Sequence, residues 1–173
     1  MKTIKQISFV LVLALITTLS SCSSDGGGGS ASASLGTIKA KVAGSSFTSM
    51  TAATFATKQV VGGATTIVVQ GGDASGRTIQ LMITGATTPT GTFEISDTAS
   101  IATIASYTEL NLSTMTSQIW AAPFDGSGAT GSITITEVTD TNVKGTFTFT
   151  AKNQAGSDTK HVTDGAFNVN FSS

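Results

Sequence analysis

The sequence has 173 residues, a length that suits one globular domain rather than several. Charged residues make up only 11 % of it, and its single arginine and scattered lysines form no basic cluster, which argues against a nucleic-acid partner. One cysteine and one histidine supply neither a disulfide nor the usual zinc ligands, so we predict no metal site and no cofactor.

The first 21 residues have the features of a secretory signal peptide. Lys2 and Lys5 precede an apolar run over residues 7–16, and the chain turns polar at Thr17. This run is shorter than the roughly 20 apolar residues that span a bilayer. Small residues follow it, as they do before a cleavage site. We therefore expect residues 1–21 to be removed on export.

Cys22 follows the signal segment directly. The order Leu19-Ser20-Ser21-Cys22 resembles the lipobox of bacterial lipoprotein precursors. The resemblance implies cleavage before Cys22 and attachment of a diacylglycerol to its thiol. Two or more acyl chains anchor a protein stably in a membrane. We expect a membrane partner through the lipid at Cys22 and a location in the cell envelope, with the outer membrane favoured and its periplasmic or surface face left open.

Residues 22–34 are predicted to be a flexible tether. After Cys22 the chain consists of serine, alanine, one aspartate and four consecutive glycines. Segments of this composition behave as random coils because they have no apolar face to bury. The remaining chain, residues 35–173, is predicted to be a single all-β domain.

Alternation of apolar and polar residues predicts the strands of this domain. The first hairpin is expected over residues 37–42 and 47–50, with a turn at residues 44–46. A second hairpin joins residues 65–70 to 77–83 through a loop that is rich in glycine, as turns with positive φ favour. Further strands are expected over residues 92–95, 101–110 and 117–122.

The last 40 residues show the clearest alternation. Over residues 143–151 every odd position is apolar or glycine and every even position is Lys or Thr. Residues 132–136 and 166–171 also have apolar residues at their odd positions, so the three segments predict an antiparallel meander. The side chains expected to face one core are Phe147, Phe149, Phe167, Val169 and Phe171.

Nine or ten short strands without helical periodicity predict an all-β fold. We expect an antiparallel β-sandwich, with a closed or partly closed β-barrel as the alternative. The pattern of alternation does not distinguish the two arrangements.

Five short motifs combine glycine with aromatic or alternating residues: Gly44-Ser45-Ser46-Phe47, Gly91-Thr92-Phe93, Gly131-Ser132-Ile133-Thr134-Ile135, Gly145-Thr146-Phe147-Thr148-Phe149 and Val162-Thr163-Asp164-Gly165-Ala166-Phe167. In this order they are similar to small Bacteroidota lipoproteins whose β-rich domain is classed as a domain of unknown function. The resemblance implies a β fold and an envelope location, and it carries over no catalytic residue.

Residues with catalytic chemistry are few. His161 is the only imidazole, and most aspartates lie in predicted turns. A nucleophile needs a neighbouring base, and glycoside hydrolysis needs two facing carboxylates. We predict no catalytic residue and a protein that is not an enzyme, with a hydrolase as the weaker alternative.

Trp120 and Tyr107 are the candidate ligand-binding residues, as the only Trp and the only Tyr of the chain. Exposed aromatic rings stack on sugars, although burial in a core is the ordinary place for such side chains. The sequence thus predicts a membrane-anchored envelope lipoprotein of unknown biochemical activity that serves as a non-catalytic binding or structural module. Its expected partner is a glycan or an envelope protein, and a carbohydrate-binding surface lipoprotein is the alternative.

Overall fold

The computed structural model describes residues 31–172. The predicted signal peptide, Cys22 and residues 22–30 of the predicted tether lie outside the described residues. Within them the chain forms eleven strands and a short 3-10 helix over Thr51–Ala53. The strands are β1 (Thr37–Val42), β2 (Ser45–Thr48), β3 (Thr54–Val61), β4 (Ala64–Gly72), β5 (Arg77–Ala86), β6 (Gly91–Ser96), β7 (Ala102–Asn111), β8 (Thr116–Ala122), β9 (Ala129–Val138), β10 (Asn142–Asn153) and β11 (Thr159–Asn170).

The strands join into one continuous antiparallel sheet that does not close into a barrel. Its order is β2-β1-β11-β10-β8-β7-β5-β4-β3, and β9 and β6 branch from β10. This arrangement confirms the predicted all-β class. Among the described residues no helix has the length and apolar character to cross a membrane.

The branch at β10 divides the sheet into two layers. Residues 143–149 of β10 pair with β9, and Lys152 and Asn153 pair with β8. We call β2, β1, β11, β10, β9 and β6 layer I, and β3, β4, β5, β7 and β8 layer II. The layers approach closely, because a Cβ atom on Gly71 of β4 would lie 2.9 Å from Cδ1 of Ile38 in β1. The fold is therefore a sandwich whose layers share one strand.

One hydrophobic core lies between the layers. All odd positions of β10 from Val143 to Ala151 are buried, and the even positions are not, as the alternation predicts. The rings of Phe147 and Phe149 stack at 6.1 Å, and those of Phe147 and Phe167 at 6.3 Å. Burying each such ring stabilises the fold by about 1.5–3 kcal/mol. Val169 is also buried, and Phe171 packs against the core, so the predicted core residues are confirmed.

Two glycines in the C-terminal meander are required by close packing. A Cβ atom on Gly145 would lie 2.5 Å from Cζ of Phe167, and one on Gly165 would lie 2.6 Å from Cδ2 of Phe147. The pairing of β10 with β11 shifts register between Phe147 and Phe149, and Asp164 beside the shift has a φ of 52°. A β-bulge of this kind lets β11 continue past a residue that does not alternate.

Several elements differ from those predicted by the sequence. β2 spans Ser45–Thr48 rather than residues 47–50, because the turn after β1 is tighter than predicted and lies at Ala43 and Gly44, both with positive φ.

β3 was not predicted, and only Ala56 of its eight residues is buried. β11 begins at Thr159, whereas the sequence pattern placed its start at residue 166. In the predicted tether, residues 31–34 are described, and Thr37 donates hydrogen bonds from both N and Oγ1 to the carbonyl oxygen of Ser34.

Candidate functional site

At one end of the sandwich the inward positions change from apolar to charged residues. β5 begins with Arg77, which points to the same side of the strand as the buried Ile79, Leu81 and Ile83. In β7 the buried Tyr107 is followed in phase by Glu109, which pairs directly with Arg77 across the two strands. We use the name end cluster for Asp73, Arg77, Tyr107, Glu109, Trp120, Asp158 and Lys160.

Lys160, near the start of β11, is the central cation of the end cluster. Its Nζ atom lies 4.0 Å from the centroid of the Trp120 ring and 5.1 Å from that of Tyr107. The same ammonium forms an ion pair with Oε1 of Glu109. Only 19 % of the Lys160 side chain is exposed, so each cation–π contact is worth about 0.5–2 kcal/mol. Lys160 thus joins β11 of layer I to β7 and β8 of layer II.

Glu109 receives two hydrogen bonds in this cluster, one from Lys160 and one from the Tyr107 hydroxyl at 2.8 Å. Partial burial alone would raise the pKa of Glu109, but these two hydrogen bonds and the charges of Lys160 and Arg77 lower it overall. Burial raises the pKa of Tyr107, and its hydrogen bond to the Glu109 carboxylate raises it further. At neutral pH the pair therefore consists of a carboxylate and a neutral phenol.

Trp120 and Tyr107 face each other across β8 and β7. Their ring centroids are 5.8 Å apart with a tilt of 42°. The indole N–H of Trp120 donates to Oδ2 of Asp158 at 2.8 Å, and this hydrogen bond lowers the pKa of the Asp158 carboxyl. Trp120 is 2 % exposed and Tyr107 is 1 % exposed. Neither ring therefore offers a face on which a sugar could stack, and ligand binding by this pair stays a prediction.

Arg77 is held by Asp73 in the loop between β4 and β5. Its Nε atom donates to Oδ2 of Asp73 at 2.7 Å, and its Nη2 atom reaches the carbonyl oxygen of Ser46 at 3.2 Å. The guanidinium also lies 5.6 Å from the centroid of the Phe47 ring in layer I. Partial burial opposes protonation, yet the hydrogen bond and charge of Asp73 raise the pKa of Arg77. Arg77 is thereby fixed as a permanent cation between the layers.

A depression of about 400 Å³ opens beside the end cluster. Arg77 and Glu109 belong to both, so a ligand in the depression would meet a guanidinium and a carboxylate that internal partners already hold in place. The remaining lining groups are hydroxyls, amides and one leucine: Ser75, Leu110, Asn111, Thr116 and Gln118. Such a surface can donate and accept several hydrogen bonds at once.

The structure places the predicted site residues in different situations. Cys22 lies outside the described residues. Trp120 and Tyr107 are brought together, but inside the core. The sequence prediction missed Arg77, Glu109 and Lys160. A signal for Arg77 and Glu109 was present, because each lies near the end of a strand and in phase with its buried residues.

Other chemistry-bearing groups lie apart from this site. His161 is exposed on the outside of β11, where its Nδ1 atom lies 3.0 Å from Oγ1 of Thr150. In the part of the chain that the structure covers, no three His, Cys, Asp or Glu side chains lie close enough together to hold a metal ion.

Comparisons with known proteins give one match. No curated protein and no solved structure matches the chain. A family model described as a domain of unknown function, DUF6252, matches residues 36–169. The match begins immediately before β1 and ends within β11, so it includes every strand of the sandwich. The chain therefore belongs to the DUF6252 family of domains of unknown function.

Proposed function

We propose that the protein is a lipid-anchored envelope protein whose β domain is a non-catalytic binding module for a hydroxylated ligand such as a glycan. The observation that carries the proposal is the depression beside the end cluster, where fixed charges and polar side chains line one surface. The order Leu19-Ser20-Ser21-Cys22 supports the lipid anchor. Origin in the Bacteroidota and a location at the outer membrane are parts of the same proposal.

The charge state of Glu109 favours binding over hydrolysis. A glycosidase needs a general acid whose pKa is raised, placed opposite a second carboxylate. Glu109 instead has a lowered pKa and is committed to Lys160 and Tyr107. The nearby carboxylate of Asp73 is bound to Arg77 and to the backbone N–H groups of Ser75 and Arg77. Both carboxylates therefore act as fixed hydrogen-bond acceptors.

The composition of the depression favours a ligand with many hydroxyl groups. A hydroxyl both donates and accepts, and the lining supplies carboxylate, guanidinium, amide and hydroxyl partners. Arg77 and Glu109 are already ordered by their own partners, which lowers the entropy that binding would cost. In this arrangement Trp120 and Tyr107 hold Lys160 and Glu109 in position from behind the surface.

Gln118 provides the sharpest test of this site. It lines the depression on β8, two residues before the buried Trp120, which is the only Trp of the chain and therefore a local fluorescence probe. We expect a panel of oligosaccharides to include one that binds with a measurable heat and perturbs Trp120 emission. Loss of one or two hydrogen bonds in Gln118→Ala should weaken that binding about tenfold.

The matched control is Gln80→Ala, an exposed glutamine on the opposite surface of layer II. It should bind the same oligosaccharide with unchanged affinity. Equal weakening by both variants, or no calorimetric binding of any oligosaccharide in the panel, would contradict the proposal.

A further inference from the structure

The outer surface of layer II carries no charged side chain on the strands that the structure describes. We use the name uncharged face for the outward residues of these strands, which are every second residue, counted from the first, of the ranges 55–61, 64–70, 78–84, 102–108 and 117–121. The charged residues of these five strands are Lys58, Arg77 and Glu109, and all three are in phase with the buried positions. The strands of layer I, in contrast, have charged side chains on their outer surface, for example Lys39, Glu94 and Lys144.

The centre of the uncharged face is apolar. Strand register places Val68, Met82 and Ile104 side by side on β4, β5 and β7. Phe55 and Ile119 on the flanking strands are 41 % and 38 % exposed. Thr, Ser and Gln occupy most of the other positions of the face. Protein–protein interfaces have an apolar centre without charged residues and a polar rim, whereas a sheet surface exposed to water usually carries charges. The composition of the uncharged face is that of an interface.

The face is large enough for a stable association. Five strands about 4.8 Å apart span roughly 24 Å, and seven residues at roughly 3.3 Å each span roughly 23 Å. One copy thus offers roughly 550 Å², and two copies packed together would bury roughly 1,100 Å² of surface. A specific interface should bury more than about 1,000 Å² in total.

We propose that the uncharged face packs against the same face of a second copy of this chain, with the two-fold axis near Met82. A surface without charges is complementary to itself, because its duplication places no like charges together and buries no ion. Two antiparallel sheets pack face to face at about 10 Å with interdigitating side chains, as inside the sandwich itself. A glycan is the weaker occupant, since Phe55 at the edge is the only aromatic residue of the face.

Cysteine cross-linking in the membrane-bound full chain tests the arrangement. Met82→Cys places a thiol at the proposed axis, and Thr148→Cys places one on the exposed outer side of layer I as the matched control. Under mild oxidation we expect Met82→Cys to give a band of twice the monomer mass at least ten times stronger than Thr148→Cys or the parent chain. Equal bands, or a Met82→Cys band at another mass, would overturn the proposal.

Insertion of a charge provides an independent measurement. Light scattering of the full chain purified in detergent should give a protein mass of two copies, and Ile104→Glu should reduce it to one because two carboxylates would then meet at the interface. Thr148→Glu is the control and should leave two copies. Circular dichroism of each variant shows whether the sandwich persists. A single copy for the parent chain would overturn the proposal, and oligosaccharide binding at the end cluster is measured separately.

Discussion

Lys160 shows how a charged side chain can lie at the end of a hydrophobic core. Its ammonium has three partners, the rings of Trp120 and Tyr107 and the carboxylate of Glu109, while its aliphatic stem is covered. Removing one partner from such a group leaves the others with a desolvated charge, which costs more than the contact itself contributed. The end cluster is therefore a set of mutually dependent contacts rather than a row of surface ion pairs.

Replacing Lys160 tests this dependence. Lys160→Met keeps most of the stem and removes the charge, so Glu109 loses its ion pair and both rings lose the cation. We expect the free energy of unfolding to fall by about 1–3 kcal/mol, measured by urea denaturation with Trp120 fluorescence. Lys39→Met, exposed on β1, is the control and should change stability by less than about 0.5 kcal/mol. Similar losses in the two variants would contradict the role of Lys160.

Tyr107 gives the pH dependence of the same cluster. Its pKa in the folded chain is raised above the ordinary value of 10.0, so the neutral phenol stabilises the fold. This stabilisation is complete below pH 10 and is lost as the pH rises through the folded-state pKa. Because Tyr107 is the only Tyr, phenolate absorbance should appear only together with alkaline unfolding. Absorbance that appears near pH 10 in a chain with native Trp120 emission would contradict this expectation.

At the scale of the elements, β10 and β11 organise the sandwich. β10 pairs with three strands, and β11 joins β10 to the first hairpin. Their contact is close because Gly145 and Gly165 let a phenylalanine ring of the other strand lie over the backbone. Two of the glycine motifs, those that contain Gly145 and Gly165, thus coincide with positions where a side chain would collide with the core.

Gly165→Ala tests this packing. The added Cβ atom would lie 2.6 Å from Cδ2 of Phe147, so the ring or the strand must move. We expect a loss of about 1–3 kcal/mol in the free energy of unfolding. At Gly72 the nearest atom to an added Cβ is 3.3 Å away, which makes Gly72→Ala the matched control with a smaller loss. A Gly165→Ala protein as stable as the control would show that the meander is not tightly packed there.

The strands that the sequence predicted differ from those that it missed in how regularly their buried and exposed residues alternate. Alternation identified the strands that bury one whole face, of which β10 is the clearest. β3 lacks this signal because it extends beyond the core, with Lys58 at an inward position and Phe55 outside. The start of β11 was missed because the bulge at Asp164 interrupts the alternation.

The end cluster was beyond sequence analysis for another reason. Glu109 and Lys160 are 51 residues apart, and their contact depends on which strands are neighbours in the sheet. The sequence identified Trp120 and Tyr107 as notable because each is the only residue of its type. It did not show that both rings are covered, since burial follows from the packing of layer I on layer II.

At the scale of the whole molecule, the two outer surfaces differ in charge. Layer I has outward lysines and acids, whereas layer II presents the uncharged face. A protein anchored to a membrane diffuses in two dimensions and encounters other copies often, so even a small interface can form a dimer. The proposed anchor and the proposed pairing would act together in this way, although each is tested separately.

The anchor is tested by labelling cells with a radioactive fatty acid. The parent protein should incorporate label, and Cys22→Ala should lose it completely because it has no other cysteine. Ser24→Ala is the control and should be labelled normally. Mass spectrometry of the native protein should show a diacylglyceryl group on residue 22 at the new amino terminus. An intact Met1 or an unmodified Cys22 would contradict the lipoprotein assignment.

The sharing of β10 between the layers has a consequence for how the protein comes apart. Peeling layer II away would require its hydrogen bonds at Lys152 and Asn153 to break at the same time as the common core opens. Neither layer can then separate while the other stays folded. Under a pulling force or in denaturant, the whole sandwich should therefore unfold cooperatively in one transition.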